Sequence, residues 1–141
     1  MNFRLDDKVY ALEIDLNQLY ANKRLRAKIG YTTKDINKRI SGFRMSGNLK
    51  GQEHLIKKVF VSKSILAKSI ERIATEIAIV RGYEKVNDKN LGLGYTEWFY
   101  CSGEQIKSCI LQAYRIGSLE IQSAQNHEWL FYVNCGQQHC D

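Results

Sequence analysis

The hydrophobic pattern begins with an alternation that predicts a β-strand. Within Lys8–Leu16 the large apolar side chains recur at every second position, while Glu13 and Asp15 fall on the other face. A period of two is typical of a strand that buries one face. We therefore predict a half-buried first strand. We expect the apolar run Leu25–Gly30 to pair with it across the polar loop Asn17–Arg24. The buried face is expected to carry Tyr10, Leu12, Ile14 and Leu16.

A longer period predicts the main helix. Apolar residues separated by three or four positions place one buried stripe along a helix. Ser62 or Ser64 is expected to cap its start, and Gly82 is expected to end it. The stripe consists of Leu66, Ile70, Ile73, Ile77 and Val80.

Two further helices are expected on either side of the main one. The first begins at Thr33, which we assign as its N-cap, and runs to about Phe43. The second covers Glu104–Ile116, and we expect Gly117 to end it because glycine is common just after a helix.

The order of the elements predicts an α+β domain. A third strand is expected at His54–Val61, and a short aromatic strand or extended segment at Glu97–Tyr100. The fold is then a small, mostly antiparallel central sheet of about three strands, flanked by three helices. We assign residues 1–116 to this domain and residues 117–141 to a C-terminal extension packed on it. Within the extension, Trp129–Val133 is expected to add a strand or dock on the domain.

Composition narrows the class of protein. The chain has 141 residues, of which 44% are hydrophobic and 26% charged, as in a soluble globular protein of one domain. The longest apolar run is far shorter than a membrane span, and the first residues lack the apolar core of a signal peptide. We therefore expect a protein of the cytoplasm of its cell or host, without a membrane partner.

Positive charge is concentrated in one part of the chain, Asn22–Lys58, which we call the basic segment. It holds eleven Lys and Arg residues against two acids, whereas the whole chain has a net charge of only +6. The last 26 residues hold three acids and no Lys or Arg. Such a segment is expected to bind a polyanion. The alternative is a solvated basic face that keeps the protein soluble.

Arg39 is the first candidate for chemistry. It shares its predicted helix side with Ile36, Ile40 and Phe43, so it leans towards the buried stripe. An arginine in that position fits an anionic partner such as phosphate. The alternative is an arginine whose side chain extends along the apolar surface into water.

A set of short motifs, in this order, resembles the GIY-YIG nuclease superfamily, and most closely its phage-type branch with K-I-G in the second half-motif. Lys8–Val9–Tyr10 stands where the family has G-I-Y, and Lys28–Ile29–Gly30 stands where it has Y-I-G. Arg39 matches the family's helix arginine, and Glu71 matches its metal-binding glutamate. Glu97–Trp98–Phe99 resembles an element near the end of that branch. The chain departs from the family in lacking the first glycine and in the long connection between the half-motifs.

The resemblance implies a catalytic role for four residues. Tyr10 would position or deprotonate the attacking water, and Lys28 would lower the pKa of either group through its charge. Arg39 would bind the scissile phosphate, and Glu71 would hold Mg²⁺ or Mn²⁺ through oxygen. The basic side chains expected to contact the nucleic acid are Lys34, Lys38, Arg39 and Arg44.

The residues alone leave other interpretations open. Tyr10 is equally suited to be a core aromatic whose hydroxyl reaches the rim. Lys28 could be an exposed strand lysine, and Glu71 could pair with Lys68 or Arg72 on its own helix.

We therefore expect a metal-dependent endonuclease that hydrolyses DNA phosphodiester bonds, of phage or mobile-element type. The alternative is a catalytically degenerate module of the same fold that binds nucleic acid or a protein partner, such as an inhibitor or anti-defence protein. With no second DNA-reading domain evident, sequence specificity would come from a homodimer, the loops or a partner. The acidic extension offers a surface for such a protein partner.

Overall fold

The fold is known from a computed structural model, which describes residues 7–15, 25–43, 45–87 and 97–125. Within these residues, four strands form one antiparallel sheet in the order β3-β1-β2-β4. The strands are β1 (Lys8–Ile14), β2 (Arg26–Thr32), β3 (Ile56–Lys63) and β4 (Trp98–Phe99). The helices are α1 (Ile36–Ser41), α2 (Ala67–Val80) and α3 (Gly103–Gln125). The α+β architecture is as predicted, and β4 brings the sheet from about three strands to four.

Strand β1 is buried on both faces, so the prediction of a half-buried strand is wrong. Val9 and Ala11 belong to a core that the sheet forms with α2 and α3. Tyr10 and Leu12 face a second core, which the sheet shares with α1. The central position of β1 in the sheet explains why both of its faces are buried, because β1 pairs with both β2 and β3 and has helices over each face. The polar residue Glu13 is used to anchor a helix, since its Oε2 accepts a 2.6 Å hydrogen bond from the first backbone N–H of α3.

Helix α1 begins two residues later than expected. Its N-cap is Asp35, whose Oδ1 accepts hydrogen bonds from the backbone of Asn37 and Lys38 at 2.9 and 3.4 Å. The assignment of Thr33 as the cap is therefore wrong. Asp caps a helix at least as well as Thr, and Thr32 serves the preceding turn by accepting from the Lys34 N–H.

Helix α2 ends at Val80, and Gly82 terminates it as predicted. This glycine has φ +84°, and the N–H of Tyr83 donates to the carbonyl of Ala78 in a Schellman motif. The start of α2 differs, because its N-cap is Leu66 and no side chain among the described residues caps it. Ser64 Oγ instead accepts a hydrogen bond from the backbone N–H of Leu66 itself.

Helix α3 continues through Gly117 to Gln125, so the prediction that Gly117 ends it is wrong. Gly117 is buried against α2, where a Cβ atom would lie 3.1 Å from Ile70 Cδ1. The glycine therefore allows two helices to pack closely. The division of the chain after residue 116 stays a prediction.

Several other predictions fall on parts of the chain that the structure does not describe. These are the loop Asn17–Arg24, nearly all of the loop Asn87–Gly94, the segment Trp129–Val133 and the charge of Arg44. Among the described residues, no helix combines the length and apolarity that crossing a bilayer requires.

Candidate functional site

A cleft of about 450 Å³ lies where β2 ends, and residues of α1 and α2 contribute to its walls. It brings together the four residues expected to act in catalysis, although they are up to 61 positions apart in the sequence. Lys34 and Glu97 also line it. The full lining is Tyr10, Lys28, Gly30, Tyr31, Thr32, Thr33, Lys34, Arg39, Glu71 and Glu97.

Strand pairing places Tyr10 in this cleft. Tyr10 lies directly opposite Gly30 in the antiparallel ladder of β1 and β2. Its ring covers the glycine so closely that a Cβ atom on Gly30 would lie 2.3 Å from Tyr10 Cζ and Oη. Any larger residue at position 30 would therefore have to displace the tyrosine. The glycine of the second half-motif thus shapes the site through the tyrosine of the first.

The hydroxyl of Tyr10 is buried and unsatisfied. Its oxygen is shielded from solvent, and although the Arg39 guanidinium lies near it, no residue that the structure describes forms a hydrogen bond of normal geometry with it. Burial raises the pKa of the phenol, and the nearby positive charge of Arg39 opposes that rise. Buried hydroxyls in proteins nearly always have a partner, so this one is suited to a ligand or water in the cleft.

Lys28 is buried beside the cleft and paired with Glu97. Only 2% of the Lys28 side chain is exposed, against 56% of the Glu97 side chain. The Lys28 ammonium donates directly to Glu97 Oε2. Burial lowers the pKa of Lys28, while its bond and charge attraction to Glu97 work against that shift. The interpretation of Lys28 as an exposed strand lysine is excluded.

Arg39 is held against an aromatic ring. Its guanidinium carbon lies 4.5 Å from the centroid of the Phe43 ring, and the Lys28 ammonium lies 5.9 Å from the same centroid. Cation–π contact of this kind orients a cation without consuming its hydrogen-bond donors. Arg39 therefore presents a fixed charge to the cleft instead of extending freely into water.

Glu71 is the carboxylate that α2 contributes. Partial burial raises its pKa, and repulsion from Glu97 adds to that effect, while the charge of Lys28 opposes it. A carboxylate in such surroundings is stabilised by a cation. Mg²⁺ is commonly bound by one or two carboxylates together with waters and substrate phosphates. Glu71 fits that requirement as a single carboxylate, although no cluster of three or more acidic, His or Cys side chains occurs among the described residues.

The expected DNA contacts are only partly in the cleft. Lys34 and Arg39 line it, and Lys38 is exposed on α1 without lining it. Two of the cations counted in the basic segment, Arg26 and Lys28, are buried. Little of either side chain is exposed to solvent, so the solvent-accessible charge of the segment is smaller than its sequence indicates.

Glu97 is the charged residue of the cleft lining to which the sequence analysis gave no role. Its signal was present in the motif Glu97–Trp98–Phe99, but nothing in the sequence connects that motif to a lysine 69 positions earlier. The connection arises from the pairing of β2 with β4, which sets Lys28 opposite Trp98. The catalytic roles assigned to Tyr10, Lys28, Arg39 and Glu71 stay predictions.

Comparison with known protein families identifies a domain family that this chain matches. The model of the T5orf172 domain matches residues 8–113, which include every strand and most of the helical structure described above. No curated protein and no solved structure matches the chain. The family is phage-associated and related to nucleases, so the match supports a nuclease-like or DNA-binding module, with DNA as its partner. Since the match covers most of the sequence, the chain belongs to the T5orf172 domain family.

Proposed function

We propose that this protein is a metal-dependent endonuclease of the GIY-YIG type that hydrolyses phosphodiester bonds in DNA. The observation that carries the proposal is the convergence of Tyr10, Arg39 and Glu71 on one cleft, where the buried Tyr10 hydroxyl has no hydrogen-bond partner of normal geometry among the described residues. Phosphodiester hydrolysis needs an oriented water, a fixed positive charge at the phosphate and a cation-binding carboxylate. These three side chains can supply the three functions.

Arg39 is assigned to the scissile phosphate. Its contact with Phe43 fixes the guanidinium before substrate arrives, so little reorganisation is needed as negative charge develops. Arginine also matches the geometry of phosphate oxygens with paired donors.

Tyr10 is assigned to the attacking water. Because burial raises the pKa of its phenol, Tyr10 is protonated at neutral pH in the free protein. In this state the hydroxyl orients a water molecule through a hydrogen bond. The charge of Arg39 favours negative charge on the phenol oxygen, which assists proton removal, and we assign Lys28, which lines the same cleft, to stabilising negative charge on the water.

Glu71 is assigned to binding Mg²⁺ or Mn²⁺. When bound, the ion would neutralise phosphate charge and make a nearby water more acidic. The fit rests on the partly buried carboxylate oxygens of Glu71, which are hard donors suited to these ions. The corresponding cellular location is the cytoplasm, of the host if the chain is phage-encoded.

The proposal is tested by incubating the protein with plasmid and single-stranded DNA in the presence of Mg²⁺, Mn²⁺ or EDTA. Cleavage is expected with either metal and absent in EDTA. Glu71→Gln should abolish cleavage while leaving DNA binding within about twofold, because the residue is assigned to the metal and not to phosphate. The matched control is Glu76→Gln, which removes the same charge from an exposed position on the same helix.

Unfolding measurements exclude a trivial loss of structure. The pKa of Glu71 is raised in the folded protein, so its ionised form is disfavoured there and its ionisation lowers stability as pH rises above the unfolded value of 4.5. Glu71→Gln should therefore be at least as stable as the parent at pH 7, and the difference should vanish at low pH. If this variant cuts as well as the parent, the metal site is wrongly assigned.

The second candidate is a catalytically degenerate module that binds DNA or a protein partner. Two observations favour it: Glu97 neutralises the Lys28 charge, and burial disfavours ionisation of Tyr10. Binding to DNA that depends on Arg39, without cleavage under any of the metal conditions, would establish this candidate. Size measurements on the same samples test whether the chain forms a homodimer.

A further inference from the structure

The proposed mechanism gives no role to the contact between Lys28 and Glu97. This ion pair joins a strand in the centre of the sheet to the residue just before an edge strand, and both partners line the cleft. The pair is asymmetric, because Lys28 is almost completely buried while more than half of the Glu97 side chain is exposed. The desolvation cost therefore falls mainly on the lysine.

We propose that Glu97 is a positioning residue of the cleft, whose carboxylate holds the Lys28 ammonium charged and directed at the place where substrate phosphate binds. This inference rests on the proposed function, because it concerns how the same cleft stabilises negative charge. Glu97 acts through Lys28 and touches no reacting atom itself.

The charges around Lys28 show why it needs this carboxylate. Lys28 and Arg39 both contact the Phe43 ring, so the two cations lie near each other. The positive charge of Arg39 disfavours the charged form of Lys28. Glu71 attracts the ammonium more weakly than Glu97 does. Of the acidic side chains described around the cleft, Glu97 is the one in direct contact with Lys28. Without it, a buried ammonium would face a neighbouring guanidinium with little compensation.

A purely structural role for the pair is hard to reconcile with its position. An ion pair that buries one of its charges incurs most of the desolvation cost of that charge, so it is seldom more stabilising than an apolar side chain of similar size. Lys28 sits between Leu12 and Trp98 in the sheet, where a methionine could pack against the same neighbours. Retaining a lysine there is explained if its charge is needed in the cleft.

The test is a double-mutant cycle on the full chain, with Glu97→Gln, Lys28→Met and the double variant. Each is measured for its unfolding midpoint and for kcat and KM of DNA cleavage. Glu97→Gln should lower the midpoint because it leaves the buried ammonium unpaired, and Lys28→Met should restore it in the double variant. Each single change should lower kcat by about tenfold or more and leave KM nearly unchanged.

The double variant decides the issue. If Glu97 acts through Lys28, the double variant loses no more kcat than Lys28→Met alone, although its stability is restored. Glu97→Asp should recover part of the lost kcat, and the control Glu76→Gln should match the parent. A structural role would restore kcat together with stability, and that result would overturn the inference.

Other outcomes separate this inference from the proposed function. Parent-like cleavage by Glu97→Gln or Lys28→Met, or losses that multiply in the double variant, would overturn the positioning role and leave the nuclease assignment standing. If the parent binds DNA without cutting it, the nuclease assignment fails and the cycle is measured in DNA affinity. Equal, non-additive losses of affinity would then support the positioning role, and absent or additive losses would overturn it.

Discussion

At the scale of single residues, the core holds a polar atom that has no hydrogen-bond partner in the part of the chain that the structure describes. The Tyr10 ring packs in the core beneath α1, yet its hydroxyl makes no hydrogen bond within the described residues. An unsatisfied buried hydroxyl lowers stability by about 1–3 kcal/mol. Retaining it is explained by a role in the cleft, where substrate or water can complete its hydrogen bonding.

Tyr10→Phe separates these two effects. The change keeps the ring and removes only the unsatisfied oxygen, so we expect the unfolding midpoint to stay the same or rise. Cleavage should fall by about 100-fold or more, the scale of losing a group that orients or accepts a proton. Denaturation and plasmid cleavage measured on one preparation give both numbers. A less stable variant that still cuts normally would return Tyr10 to the role of a core aromatic.

At the scale of elements, the site depends on how two neighbouring strands fit together. Gly30 leaves the space that the Tyr10 ring occupies, and β2 carries Lys28 two residues earlier on the same face. The strand pair therefore fixes the tyrosine and the lysine with respect to each other.

Gly30→Ala tests this dependence. A methyl group there would overlap the tyrosine ring, so we expect a loss of about 1–3 kcal/mol in the free energy of unfolding, together with loss of cleavage. The matched control is Gly42→Ala, where the backbone is in the right-handed helical region and the added Cβ meets its nearest atom at 3.4 Å. Equal stability of the two variants would contradict the packing argument.

Sequence periodicity predicted the elements better than their surroundings. The spacing along α2 and the alternation along β1 gave the right type of structure in the right place. They could not reveal that β1 is covered on both faces, because that depends on α3, which follows some 90 positions later. The two glycines show the same limit of local patterns. Gly82 terminates α2, whereas Gly117 lies inside α3 and packs against Ile70.

Local motifs predicted most residues of the candidate site, but they could not predict contacts between residues that are distant in the sequence. Motif order pointed to Tyr10, Arg39 and Glu71, and the fold brings them to one cleft. The partnership of Lys28 with Glu97 depends on β4 lying beside β2, and no local pattern records that adjacency. The burial of Lys28 was not predicted, because it depends on the same position of β4 beside β2.

At the scale of the whole molecule, the charge available to DNA is less than composition indicates. Arg26 and Lys28 are buried. Lys34 is exposed in the lining of the cleft, and Lys38 is exposed on α1, the helix that carries Arg39. Phosphate binding should therefore centre on the cleft and α1 instead of following the basic segment as a whole.

This distribution predicts how DNA affinity depends on salt. Contacts to phosphates release counterions, so the logarithm of the binding constant should fall linearly with the logarithm of salt concentration. Changing both Lys34 and Lys38 to glutamate should weaken binding to all sequences alike and make the slope less steep by about two. The matched control is Lys107→Glu on α3, outside the cleft lining, which makes a cation–π contact with Phe60. If the control weakens binding as strongly per charge, DNA is attracted by net charge alone. A parent chain that does not bind DNA at low salt would contradict both proposed functions that involve DNA.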